Sequence, residues 1–178
     1  MLNAQKPRLL ILGAGGYGKT LAEVAELIGG WSDICFIDDQ WPVLTHRKNY
    51  AVIGDMAHLN QIDITNCVSI VAVGNNKVRK KWHDLVKSMH IPLVSIVHPN
   101  AVISPSAQIM QGVSIMAGCI LGTDVVINEG CILNSGVLID HDVSIGQYTH
   151  LGLGVKILAE KNVPELSFLE AGTVFGNQ

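Results

Sequence analysis

From Ile103 onward an aliphatic residue returns at every sixth position, through Ile109, Ile115, Leu121, Ile127, Leu133, Ile139, Ile145, Leu151 and Ile157, with no slip in register. A small or β-branched residue keeps the same period two places earlier, at Ala107, Val113, Cys119, Val125, Cys131, Val137, Val143, Thr149 and Val155. Two positions per hexad therefore point inward and the rest face out. A helix repeats about every 3.6 residues and an ordinary strand about every two, so neither requires this rule. A triangular β-solenoid does, because each flat side takes one hexad and three sides close a coil of about 18 residues. Stacked columns follow: Ile103 under Leu121, Ile139 and Ile157; Ile109 under Ile127 and Ile145; Ile115 under Leu133 and Leu151. A β-sandwich with evenly spaced strands would need turn signals about every 8 to 12 residues and would not hold one phase for so long. Beyond Ile157 the phase persists through Val163, Leu169 and Phe175, with Ser167 and Thr173 at the small inward positions. The solenoid is therefore expected to run to about Phe175, with these residues buried.

The N-terminal part obeys a different grammar. Arg8 to Leu12 reads as a short apolar strand, Gly13-Ala14-Gly15-Gly16-Tyr17-Gly18 as a glycine turn, and Lys19 to Ile28 as a helix with its apolar face at Leu21, Val24, Ala25 and Ile28. Strand, turn and helix in this order open a doubly wound α/β unit. A second strand is expected at Ile34 to Ile37, ending on Asp38-Asp39, and a third at Val68 to Val73, ending on Gly74-Asn75-Asn76. A helix over Lys77 to Met89 then leads to a fourth strand at Leu93 to Val97. The chain thus divides into a Rossmann-like α/β domain over residues 1–97 and a β-helix over residues 98–178. Ligands of such sheets bind beyond the carboxyl ends of the strands, where the three polar turns gather.

The glycine turn fits the dinucleotide pattern at Gly13, Gly15 and Gly18, with an acid about 20 residues on at Asp38. Glycines let backbone amides and a helix N-terminus approach any phosphate or hydroxyl-rich ligand, so NAD, a nucleotide or nucleotide sugar, and a turn without ligand are all readings of it. Against NAD, only about half of a full dinucleotide sheet precedes the solenoid.

Composition excludes several classes. The chain has 178 residues, 48% of them apolar, and a net charge of −3. Two modest cores fit that length. No leader-like or membrane-spanning apolar run occurs, so a cytoplasmic, soluble protein is expected. The one cationic group, Lys77, Arg79, Lys80 and Lys81, reads as a solvated helix face and not as a nucleic-acid surface. Cys35 and Cys67 in apolar strands, and Cys119 and Cys131 at inward repeat positions, read as reduced packing residues.

Chemistry on a regular solenoid has to come from outward polar residues, and Asn134, Asp140, His141, Asp142 and His150 break the bland pattern. His141 lies at or near a corner, with Asp142 close enough to hold one ring nitrogen and leave the other as a base. A surface histidine with no role is the competing reading. His46, His58, His83, His90 and His98 lack such context. His150 follows His141 by half a coil, so within one chain the two rings lie on opposite sides. Asn134 precedes His150 by almost one coil, so those two nearly stack. A threefold oligomer would offer three clefts, each combining His141 and Asp142 of one subunit with Asn134 and His150 of another.

The Gly-x-Gly-Gly-x-Gly-Lys start, Phe36-Ile37-Asp38-Asp39, Val73-Gly74-Asn75-Asn76 with Arg79, the Val97-His98-Pro99 junction, and Asn134 through His150 together resemble the bacterial sugar acetyltransferases typified by sialic acid O-acetyltransferase and UDP-4-amino-sugar N-acetyltransferase, the NeuD/PglD-like group. The resemblance runs from about Arg8 to Leu151. It implies a left-handed parallel β-helix, a homotrimer with acetyl-CoA as co-substrate between adjacent helices, no metal, and an N-terminal domain that holds the nucleotide sugar. It also implies His141 as general base, Asp142 as the acid that orients it, and Asn134, His150 and Gly152 near the coenzyme. Gly13, Gly15, Tyr17, Asp38, Asp39, Gly74 and Asn75 would contact the acceptor.

Two departures stand out. The turn position that is often His in the family is Tyr17 here, which hydrogen-bonds but does not titrate near neutral pH. Family members also usually continue for further Gly-Ala-Gly-rich coils, whereas this chain passes through Ala159-Glu160-Lys161-Asn162 and Pro164-Glu165 to Gln178, so weak coenzyme binding by an assembled trimer is expected. The function expected is direct acetyl transfer to a nucleotide-linked amino sugar in surface polysaccharide or glycan biosynthesis. Its rivals are O-acetylation of sialic acid, a non-catalytic nucleotide-sugar binder, and a carbonic anhydrase-like β-helix, which would need three histidines converging on zinc where the regular coils carry only His141 and His150.

Overall fold

The computed structural model describes residues 5–176. Residues 1–4 and 177–178, the extreme ends of the two expected domains, lie outside it. The chain forms two compact units, one of residues up to Val73 with Lys81–Val94, the other of Gly74–Lys80 with Ser95 onward.

The elements of the N-terminal part are β1 (Arg8–Leu12), α1 (Gly16–Ile28), β2 (Asp33–Ile37), the short hairpin β3 (His46–Arg47) and β4 (Tyr50–Ala51), β5 (Cys67–Val71) and α2 (Asn76–Ser88). The strands β2, β1 and β5 pair in that order, all parallel. Leu9 through Leu12 are fully buried, as a central parallel strand covered on both faces requires. Helix α1 buries Leu21, Ala22, Val24 and Ala25. The turn between β1 and α1 is set by two glycines. Gly13 sits at φ +107°, and a side chain on Gly18 would put its Cβ 2.0 Å from the Gly13 carbonyl oxygen. Only a glycine admits that approach of helix to strand.

The fourth expected strand divides. Leu93 makes an isolated parallel bridge to Ser69 of the α/β sheet, whereas Ile96–Val97 is the first rung of the solenoid. The reason lies in the period: Val97 is in phase with Ile103, so it stacks under Ile115 and not on β5.

The second unit is a left-handed parallel β-helix of two-residue rungs on three faces. The first face stacks Ile96–Val97, Ser114–Ile115, Ile132–Leu133, His150–Leu151 and Phe168–Leu169. The second stacks Val102–Ile103, Ile120–Leu121, Leu138–Ile139, Lys156–Ile157 and Val174–Phe175. The third stacks Gln108–Ile109, Val126–Ile127, Ser144–Ile145 and Asn162–Val163. Every column matches the register read from the hexads. Their inward residues, with Val113, Cys119, Val125, Cys131, Val137, Val143 and Val155, make one continuous core.

The coils run to Phe175 as the phase requires. Burial is less uniform than expected: Val163 is buried, but Leu169 and Phe175 are only half-buried. They belong to the last described coil, which has no further described coil stacked on it.

Leu133 is fully buried in the middle of its column. Leu133→Ala should lower the unfolding free energy by about 2–5 kcal/mol, read from urea melts. A loss below about 0.5 kcal/mol, the level of a surface change, would contradict a close-packed column.

Candidate active site

His141 occupies the corner between the Leu138–Ile139 and Ser144–Ile145 rungs, exposed to solvent. Its backbone N–H donates to Asp140 Oδ1 at 2.8 Å, which fixes the corner. Asp142, at φ 57°, takes the left-handed conformation that short polar residues tolerate. Its Oδ2 lies 2.8 Å from His141 Nδ1, so that nitrogen carries the proton and donates. Nε2 is left with its lone pair. Asp140 Oδ1 stands 4.0 Å from it, beyond a hydrogen bond. The Asp142 hydrogen bond raises the His141 pKa above the ordinary imidazole value, and the charges of Asp140, Asp142 and Glu160 add to the shift. Beneath the corner is Gly122, whose absent Cβ would lie 2.9 Å from the Asp140 carbonyl carbon and 3.0 Å from the His141 nitrogen. A larger residue would push the corner out. Sequence reasoning passed over Gly122, although its place eighteen residues before Asp140 was the available signal.

His150 is the opposite kind of histidine. Its Nδ1 lies 3.1 Å from the Gly74 carbonyl oxygen and its Nε2 lies 2.9 Å from Asn134 Nδ2. Both nitrogens are engaged, and the ring meets Phe168 edge to face at 5.1 Å. Burial lowers its pKa, opposed by the Gly74 hydrogen bond and assisted by the Arg79 charge. Asn134 and His150 therefore meet, as their near-coil spacing requires. Gly152 is buried, and the Ala171 nitrogen would lie 2.7 Å from a Cβ there, so its lack of a side chain serves coil stacking.

Gly74 and Asn75 sit in the coil unit. Asn75 Oδ1 accepts the Val78 N–H at 3.1 Å and caps α2. With Asn76, Lys77, Leu166 and Phe168 they line a groove of ≈ 490 Å³. The cationic group is not a uniformly solvated face. Lys77, Lys80 and Lys81 are exposed, but Arg79 is fully buried. Its guanidinium donates to Gly130 O at 2.7 Å, Tyr148 O at 2.6 Å, Gly74 O at 3.1 Å and Asn76 Oδ1 at 2.8 Å. Four acceptors in one place offset the cost of burying the charge.

In the α/β unit Asp38 Oδ2 accepts the Ala14 N–H at 2.7 Å and its Oδ1 the Gln40 N–H at 3.0 Å. Asp39 Oδ1 accepts the Met56 N–H at 3.1 Å. Arg47 Nε donates to the Ala14 carbonyl at 2.6 Å, so the glycine turn is braced from both sides. Gly15 is exposed as the N-cap of α1, and Tyr17 is half-buried. A second pocket of ≈ 400 Å³ is lined by Trp41, Ile53, Gly54, His58, Gln61 and Ile62. Among the described residues no group of three or more His, Cys, Asp or Glu is placed to hold a metal ion, and no helix is long and apolar enough to cross a membrane.

The PglD N-terminal domain family matches residues 8–86, and the bacterial transferase hexapeptide family, in six repeats, matches residues 106–141. The acetyltransferase domain of PglB from Neisseria gonorrhoeae FA1090, solved in complex with acetyl coenzyme A, is 28% identical, with a TM-score of 0.72 over 97% of this chain and 92% of that one. In both of its parts the chain is similar to the NeuD/PglD-like sugar acetyltransferases. PerB from Caulobacter crescentus, solved with CoA and GDP-perosamine, is 25% identical, with a TM-score of 0.83 over 94% of this chain and 88% of that one. Comparison with curated proteins gave no match.

The acetyltransferase thus carries an exposed histidine with a raised pKa, His141, and a half-buried one with a lowered pKa, His150. Proton NMR titration should find His141 titrating above and His150 below about 6.5. Asp142→Asn should bring His141 down while leaving His150 in place. The same titration midpoint for both rings would contradict these hydrogen bonds.

Proposed function

We propose that this chain transfers the acetyl group of acetyl-CoA to the amine of a nucleotide-linked sugar, in surface polysaccharide or glycan biosynthesis, as a cytoplasmic homotrimer. The observation that carries the reading is the His141–Asp142 pair, exposed, with Nδ1 held and Nε2 open. His141 Nε2 takes a proton from the acceptor amine as its nitrogen attacks the thioester carbonyl carbon. The carbon–sulfur bond then breaks, the coenzyme leaves as a thiolate, and the imidazolium returns the proton to the sulfur. The amide and the free thiol are the products. Asp142 keeps the ring in the required tautomer and stabilises its charged form.

His150 suits a different task, because both its nitrogens are engaged. With Asn134 it lines the coenzyme's acetyl and pantetheine end, in a cleft completed by the His141 corner of a second subunit. The glycine turn and the acidic pair suit a nucleotide-linked ligand: Gly13, Gly15 and Tyr17 at the turn, with Asp38 and Asp39 at the end of β2. Support for these partners comes from PglB, solved with acetyl coenzyme A, and PerB, solved with CoA and GDP-perosamine.

The deciding experiment is mass spectrometry of products after incubation with acetyl-CoA and a panel of nucleotide amino sugars and free sialic acids. An N-acetylated nucleotide sugar is expected. Acetylated sialic acid would move the acceptor to oxygen, and absence of any acetylated product with every acceptor would make the chain a binder. His141→Ala should lower turnover by about 100-fold or more with the oligomer retained. Near wild-type turnover in that variant rules out the base.

The pH dependence has a definite sign. A general base works unprotonated, so kcat/KM rises as pH climbs through the His141 pKa, and the raised pKa moves that limb above its ordinary imidazole position. Asp142→Asn should shift the limb to lower pH. For the shared cleft, co-assembly of inactive His141→Ala and inactive His150→Ala chains should restore part of the activity, because some clefts then hold both residues. Verified mixed trimers that never recover activity would overturn the shared cleft inferred from the half-coil spacing.

A further inference from the structure

We propose that Arg79 is a positioning residue that fixes the tautomer of His150 and, through it, the orientation of the Asn134 amide. The proposal rests on the reading of Asn134 and His150 as coenzyme contacts. Its geometry lies wholly within the coil unit. Gly74 offers His150 a carbonyl oxygen, which can only accept, so the nitrogen facing it at 3.1 Å carries the hydrogen. In the neutral ring Nε2 is then bare and accepts. Asn134, at 2.9 Å, therefore turns its NH2 toward the ring. An amide has a donor end and an acceptor end, and here the tautomer of one ring decides which end is spent. Asn134 Oδ1 is left as an acceptor for a ligand N–H, such as an amide of the coenzyme arm. The opposite tautomer would leave Nε2 protonated and Asn134 reversed, offering the ligand a donor.

What holds the Gly74 carbonyl in place is Arg79. Its Nη1 donates to the same oxygen at 3.1 Å, while Nε and Nη2 are tied to Gly130 O, Tyr148 O and Asn76 Oδ1. Asn76 in turn donates from Nδ2 to Leu166 O and Ser167 O, both at 2.9 Å. Gly130, Tyr148 and Leu166 are spaced by eighteen residues, one per coil, in one corner column. The segment carrying Gly74 is thereby pinned to three successive coils. A planar fork is needed for this, since an ammonium on a flexible stem cannot hold four divergent acceptors at once. The buried positive charge also opposes protonation of His150, which would reverse Asn134.

The test is the nitrogen spectrum of the full chain labelled with 15N-histidine, with the His150 signals identified by His150→Gln. At neutral pH the wild type is expected to show His150 protonated on Nδ1 and bare on Nε2. Arg79→Lys should give a mixture of His150 tautomers, leave the His141 tautomer unchanged, and raise the KM for acetyl-CoA by about tenfold, the cost of one charge-assisted hydrogen bond. Should that variant fail to fold, Asn76→Ala removes a single anchor of the guanidinium and should move both readings the same way by less. A wild-type His150 protonated on Nε2, or a His150 spectrum unaltered by either substitution that folds, overturns the proposal. The expected spectra in a chain that transfers no acetyl group would leave the positioning intact and overturn the functional reading instead.

Discussion

The aliphatic columns hold everything else in register. Each inward residue stacks on its counterpart eighteen positions away, and the rung beside it hydrogen-bonds to the rung above, as when Ile132 and Leu133 pair with His150 and Leu151. Burial within the column and pairing along the ladder are satisfied by the same alignment. A slip of one residue would expose the entire inward set. Outward positions consequently inherit fixed neighbours at no further conformational cost. Asn134, just after its inward Leu133, and His150, just before its inward Leu151, are brought within a hydrogen bond in this way. The pairing of Asn134 with His150 is a by-product of core packing.

On that scaffold two imidazoles are made chemically different by their surroundings. His141 stands in water among carboxylates that favour its charged form, with one nitrogen held and the other open. His150 is half-buried and bonded at both nitrogens; burial and the neighbouring guanidinium of Arg79 favour its neutral ring, against the Gly74 hydrogen bond. Pushing two pKa values of one residue type apart is how a site separates a proton carrier from a fixed hydrogen-bonding group. The corner needs the missing side chain of Gly122 below it as much as the acid beside it, since the backbone of Asp140 and His141 descends into that space.

Much of the fold was legible because a solenoid writes its geometry in a single period. The inward residues, the three columns and the extent to Phe175 follow from one phase, and β1 and the start of β2 differ from the expected strands by at most a residue. What the period could not convey was burial at the last described coil, where Leu169 and Phe175 keep the pattern but have no described rung above them. Nor could it assign Leu93 and Val97 to different units, since a run of apolar residues reads as one strand whether or not its two ends pair with the same sheet. The site was legible where local chemistry suffices, as with His141 beside Asp142. It was opaque where a long side chain reaches across the sequence. Arg79 among three lysines has the look of a solvated face, and only the carbonyls of Gly130 and Tyr148, more than fifty residues on, make a buried cation sensible.

The same long-range ties change what Gly74 and Asn75 can offer a ligand. Asn75 uses its side-chain oxygen to cap α2, and the Gly74 carbonyl is shared between Arg79 and His150. Neither acceptor is open in the way a surface loop suggests. Asp38 is similarly engaged, bonding the Ala14 and Gln40 amides through its two oxygens, so its carboxylate braces the glycine turn before it meets any ligand. Groups already ordered by the fold need little further ordering when a substrate arrives, which lowers the entropic cost of binding. Their backbone partners then matter as much as the side chains themselves. In this molecule those partners are the carbonyls at a coil corner and the amides of a glycine turn, which the backbone geometry itself holds in place.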